Sequence, residues 1–181
     1  TELELPVIAT PFSPTPVKPD NSEAIREAKQ KMNQVSGEVK QLLANTAQPD
    51  DAKLSPIKEN KIIINVRGDM FFNAGSAQFK REAMPIMDGI GNILRKNPEF
   101  KLVVGGHTDN TPISTNRYPS NWELSAIRAT TVLRYFVRGG MNPDRVTATG
   151  YGESTPITSN ESEEQRAQNR RIEFVLERIT P

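Results

Sequence analysis

FKLVVGGHTDN, Phe100 to Asn110, is apolar to Val104 except at Lys101, breaks on a glycine pair, and then sets a histidine, a threonine and an aspartate side by side. FKLVVGG reads as a strand, apolar and β-branched residues bounded by glycine. Downstream, NWELSAIRATTVLRYFVRGG from Asn121 reads as a strong helix. Ser120-Asn121-Trp122-Glu123 gives it a capping-box start, and a glycine pair ends it. RVTATGYG from Arg145 and RRIEFVLERI from Arg170 are two further strands, with a short helical stretch around SEEQRAQN between them. Upstream, KIIINVR from Lys61 is a strand. REAMPIMDGIGNILRKN from Arg81 is a helix carrying Met84, Met87, Ile90, Ile93 and Leu94 on one side. Pro85 falls in its first turn, where a missing N–H is tolerated. Strands alternating with helices imply crossover connections and an α/β sheet with helices packed on it. The order of strands in that sheet does not follow from the pattern.

The first 20 residues, TELELPVIATPFSPTPVKPD, hold five prolines and no periodic pattern, so they read as an extended tether. Residues 22–44 read as a helix with Ile25, Met32, Val35, Val39, Leu42 and Leu43 at helical spacing and Ser22 as N-cap, weakened by Gly37. NTAQPDDAKLSP then reads as a loop. The expected organisation is a proline-rich linker over 1–21, a linker helix and loop over 22–59, and the α/β domain over 60–181. The formal charge of the 181 residues is +1, which offers no basic stripe for nucleic acid. No apolar run approaches membrane-spanning length, and no signal peptide is visible. A start at Thr1 fits a processed or partial chain with anchoring sequence upstream. Zero cysteines exclude disulfides and thiolate chemistry.

His107 is the only histidine. A metal centre needs several ligands, and a nucleophilic relay needs a positioned hydroxyl, so His107 reads as a partly buried strand residue bonded to backbone. GYGES, residues 150–154, lacks the lysine and helix of a phosphate loop and reads as a turn. Asn121, Leu124 and Arg128 share one face of the long helix. Arg128 sits among apolar neighbours. One reading is an ordinary salt bridge. The other is a two-charge clamp with Asp109, suited to a ligand that carries both an ammonium and a carboxylate. Backbone N–H groups at the capped helix start would suit the same carboxylate.

FFNAGSAQF, GGHTDNTP, SNWELSAIRA, GYGESTPITSNES and RAQNRRIEF follow one another between about residues 66 and 178. In that order they resemble the signatures of OmpA-like peptidoglycan-binding domains. The SNWELS form, after a long loop, is most similar to the B subunits of flagellar motor stators, the MotB, PomB and MotS group. The resemblance implies a βαβαβαβ two-layer sandwich that dimerises. It also implies the periplasmic domain of an inner-membrane single-pass protein, whose upstream transmembrane helix pairs with a stator A subunit. The implied function is a non-enzymatic anchor that holds the stator to the wall, without cofactor, metal or nucleic acid. Another OmpA-like envelope tether is the alternative. Carried over by position, Asp109 would take the ammonium, and Arg128 the carboxylate, of a diaminopimelate-type stem peptide. Thr108, Asn121 and Leu124 would line the pocket, with Arg171 near it. Two departures from the pattern are Gln165, where glycine is common, and the longer loop TPISTNRYP.

Overall fold

The computed structural model describes residues 21–180, so the tether expected over the first 20 lies outside the described residues. Helix α1 spans Ser22–Thr46. Its buried side chains, Met32, Val35, Val39 and Leu43, follow helical spacing and form a single stripe. Asn21, not Ser22, occupies the cap position, because the first turn starts one residue earlier than expected. Ile25 is 63% exposed, well before the first buried residue of the helix.

Among the described residues, five strands form one sheet: β1 (Ala52–Leu54), β2 (Lys61–Arg67), β3 (Phe100–His107), β4 (Val146–Gly150) and β5 (Arg171–Arg178). Their order is β1-β2-β5-β3-β4. β5 is central and antiparallel to both neighbours, while β3 and β4 run parallel. β1 lies in the stretch expected to be loop. Ala52, Lys53 and Leu54 alternate half-buried, exposed and half-buried, but three residues are too few to establish a period, and pairing to β2 makes them a strand.

The remaining helices are a single turn, α2 (Gly68–Phe71), then α3 (Met84–Lys96), α4 (Asn121–Arg138) and α5 (Glu163–Asn169). A 3₁₀ turn, Arg81–Ala83, leads into α3, so Pro85 falls in its first turn as expected. Met84 is only half-buried, and Ile86 takes a core place instead. The buried residues of β2 alternate, Ile62, Ile64 and Val66, which leaves one face of the sheet apolar. Those side chains, with Leu102 and Val104 of β3 and Ile172, Phe174 and Leu176 of β5, join α1, α3 and α4 in one core. Each such fully buried aliphatic side chain contributes about 1.5–3 kcal/mol gross. The result is the expected α/β sandwich, with α1 part of its core. Among the described residues, no helix is long and apolar enough to cross a membrane.

Candidate functional site

The glycine pair in VVGGH matters because of what faces it. Gly106 and Gly150 are register partners on the parallel strands β3 and β4. A Cβ on Gly106 would lie 2.2 Å from the Ser125 carbonyl oxygen, and one on Gly150 would lie 2.5 Å from the Ala126 nitrogen. Helix α4 therefore rests with its backbone against the sheet, which only glycine permits. The fully buried Ser125 secures the seam by accepting from the Gly152 N–H at 2.9 Å. Gly152, at φ +54°, makes GYGES the turn that was expected.

This docking brings the first two turns of α4 to the C-terminal end of β3. Asn121, Leu124 and Arg128 are all buried on one face. The Asn121 amide donates to the Thr111 carbonyl at 2.9 Å and pins the loop after Asp109. Leu124 packs with Ala77 and Tyr118 in a small second core. Ser120 caps the helix, accepting from Trp122 N–H, while its hydroxyl donates to Glu123. That contact holds the Glu123 carboxyl below its ordinary value.

An open cavity of about 470 Å³ lies there, lined by Thr108, Asp109, Asn121, Leu124 and Arg128 among others. Five of the six residues expected to bind ligand thus share one wall-lined space. The guanidinium of Arg128 is buried yet, among the described residues, hydrogen-bonds only to main-chain carbonyls. Nε donates to Ser76 at 2.9 Å, Nη2 to Asn73 at 3.2 Å, and the Phe72 ring lies 5.1 Å from its centre. These partners come from FNAGS, a turn that Gly75 allows at φ +63°. Burial pulls the Arg128 pKa down to about 10, so it keeps its charge at neutral pH. No ion pair to Arg128 exists among the described residues.

Asp109 is held differently. Oδ1 accepts from the Thr111 N–H at 2.8 Å, and Oδ2 accepts from Arg170 Nη1 at 2.6 Å. Arg170 also reaches Glu163 through Nη2, and both residues line the cavity. Burial works against the charge on Arg170, but its bonds to Asp109 and Glu163 outweigh this and raise its pKa.

Arg171, expected near the pocket, does not line it; Arg170 does. Strand parity is the reason. Ile172 and Phe174 face the helices, so Arg171 faces the other way, beside its register partner His107. Arg171 donates to Asn65 and to the Thr155 carbonyl. Arg170 shares the parity of Ile172, a signal present in the sequence. Glu163, by contrast, stands on a short helix that nothing local points toward the cavity.

His107 also lies on that far face. Its Nδ1 meets the Thr155 hydroxyl at 2.9 Å rather than a backbone group, and its ring stacks on Tyr151 at 4.7 Å. Burial, with Arg171 nearby, lowers its pKa to about 3. A ring that stays neutral, on the face away from the cavity, is structural. Among the described residues there is no group of three metal-ligating side chains.

Residues 71–170 match the OmpA family. Motility protein B of Bacillus subtilis (strain 168) is 35% identical over 132 residues, 70% of this chain and 51% of that protein. A crystal structure of a MotB-like protein from Desulfovibrio vulgaris superposes with a TM-score of 0.77 at 34% identity, covering 84% of this chain and 98% of that one. The cell wall anchor of the T6SS from Pseudomonas aeruginosa superposes with a TM-score of 0.70 at 34% identity, covering 77% and 96%. The chain spans about half the length of the curated relatives it matches.

Proposed function

The chain belongs to the OmpA family, and on that premise we propose that it is a periplasmic, non-enzymatic anchor that grips peptidoglycan for a flagellar stator. The observation that carries this reading is Arg128, a buried cation with no carboxylate partner among the described residues, opening on the cavity that also holds Asp109. Desolvating a charge is costly unless an opposite charge meets it. A ligand carboxylate at Arg128 would supply that charge, and a ligand ammonium would go to Asp109. The free end of a diaminopimelate-type stem peptide carries both groups. Thr108, Asn121 and Leu124 shape the walls. Arg171 keeps only an indirect part, supporting the strand end that leads to Arg170.

In this reading the α/β domain is the wall-gripping part of a homodimer. An upstream transmembrane helix would join it to the inner membrane and to a stator A subunit, so that torque acts against a fixed wall. The likeness to Motility protein B over 70% of the chain supports the stator assignment. A second reading, a wall anchor for another envelope machine, is favoured by the likeness to the T6SS anchor. The upstream sequence separates them: a single transmembrane helix with a central aspartate fits the stator, and a lipobox or β-barrel fits the alternative.

Co-sedimentation with purified sacculi, combined with an assay for released soluble fragments, tests binding against cleavage. We expect the domain to pellet with sacculi, release nothing, and lose retention as Asp109→Ala or Arg128→Ala with its fold kept. Full retention by both variants would overturn the clamp, and released fragments would overturn the non-enzymatic reading.

A further inference from the structure

Asp109 already has a cation, and that poses a problem for any ligand ammonium. The Arg170–Asp109 contact is 2.6 Å, and the Asp109 side chain is 9% exposed, so the two cations compete for one nearly enclosed carboxylate. The competition is not settled by that pair alone. Arg170 is divided, with Nη1 on Asp109 and Nη2 on Glu163. Glu163 is in turn shared, because Arg166 Nε donates to its other oxygen at 3.2 Å from outside the cavity lining. Asp69, the remaining acid on the lining, is taken by Arg67. A ladder Arg166–Glu163–Arg170–Asp109 therefore runs from the surface to the cavity and ends on the carboxylate that a ligand needs.

We propose that Glu163 is a selectivity-determining residue of the site: it holds Arg170 back, so that a ligand ammonium can take Asp109. The inference rests on the zwitterion reading of the cavity. The physical reason is a difference between two states. When an ammonium arrives at Asp109, Arg170 loses one of its two charged partners. With Glu163 in place it keeps its Nη2 contact with a carboxylate and stays paired with an opposite charge. Without Glu163 it would be left as an uncompensated cation beside the incoming ammonium, and it would also repel it. Arg128 shares no hydrogen-bond partner with Arg170, since its bonds run to the Asn73 and Ser76 carbonyls, and it feels the Arg170 charge only through space. The effect of Glu163 therefore falls mainly on ligands that bear the ammonium. Glu163 is a positioning residue, acting through Arg170. Because its side chain is 68% exposed, solvent screens it and the effect is modest.

The test uses two synthetic stem tripeptides, one ending in meso-diaminopimelate and one in 2-aminopimelate, which keeps the distal carboxylate but lacks the distal ammonium. Affinities are measured by calorimetry for the wild type, Glu163→Gln, Arg170→Gln and the double variant. Thermal melts check that each is folded. Glu163→Gln should weaken the diaminopimelate peptide about threefold to fivefold and leave the deaminated peptide largely unchanged. Arg170→Gln should raise the preference for the ammonium-bearing peptide about fivefold or more. On the Arg170→Gln background, Glu163→Gln should have no further effect on that preference. An equal loss from Glu163→Gln on both backgrounds would overturn the inference, since Glu163 would then touch the ligand directly. An unchanged preference across all variants would also overturn it, while leaving the anchor reading intact. If the wild type binds neither peptide, the anchor reading falls as well.

Discussion

Two helices meet their neighbours at glycines, and the two seams are built differently. At the α4 seam, a Cβ on Gly106 would strike the Ser125 carbonyl at 2.2 Å, and one on Gly150 the Ala126 nitrogen at 2.5 Å. Backbone lies against backbone, and neither side has a rotamer to yield. At the α1 seam, a Cβ on Gly89 of α3 would strike the end of the Leu42 side chain at 2.1 Å. That side chain can turn away. The contrast teaches where the molecule needs precision. The α4 seam sets the distance between the β3 terminus and the face carrying Asn121, Leu124 and Arg128, so it carries the site. The α1 seam adds core burial through Met32, Val35, Val39 and Leu43 but positions no cavity residue.

The contrast predicts a ranked series of effects. Gly106→Ala should be the most damaging, costing about 3 kcal/mol or more through overpacking against a carbonyl that cannot move. Urea unfolding measures the loss, and sacculus retention should fall with it. A loss below about 1 kcal/mol would show that the seam is compliant.

Next comes acid. His107 stands on β3 beside Gly106 and has a folded pKa of about 3, below its unfolded value of 6.5. The unfolded chain therefore takes up the proton first, and stability falls as pH drops from 6.5 toward 3. The slope is at most about 1.4 kcal/mol per pH unit, so the change from pH 6 to pH 4 is on the order of 2 kcal/mol. His107→Gln should flatten that part of the pH–stability curve. An unchanged slope would remove His107 from the account.

Gly89→Ala should cost about 1 kcal/mol, since strain against Leu42 is partly offset by the better helix propensity of alanine. Adding Leu42→Ala should cancel that strain, a coupling that a double-mutant cycle reads directly. Additive losses would mean that Leu42 is not the obstacle. The smallest effect belongs to Lys31, paired with Glu99 at 3.3 Å across the α1 seam on a partly exposed surface. Lys31→Met should change stability by less than about 0.5 kcal/mol and reduce its salt dependence.

The strands β2, β3 and β5 and helices α1, α3 and α4 were legible in the sequence because their apolar residues recur over seven residues or more, and the five-residue β4 because Val146 and Ala148 alternate before a glycine. β1 was not, since an alternation over three residues is too short to signal a strand, and its strand character comes from pairing with β2. Asp109, Thr108, Asn121, Leu124 and Arg128 were legible as a set. Helical spacing groups the last three, and the strand end places the first two. Arg170 and Arg171 are adjacent in NRRIEF, and strand parity is what separates the cavity residue from its neighbour. Glu163 and the carbonyls of Asn73 and Ser76 were not legible. They reach the cavity through tertiary folding of α5 and the FNAGS turn, and a main-chain acceptor leaves no mark on side-chain identity.

The central claim is that one cavity holds an ammonium at Asp109 and a carboxylate at Arg128. A crystal structure of this domain with the tripeptide stem ending in meso-diaminopimelate tests it most directly. The account predicts the distal carboxylate within hydrogen-bonding distance of the Arg128 guanidinium and the distal ammonium at Asp109, with Arg170 drawn toward Glu163. A peptide bound in the reverse orientation, or seated away from both side chains, would contradict it.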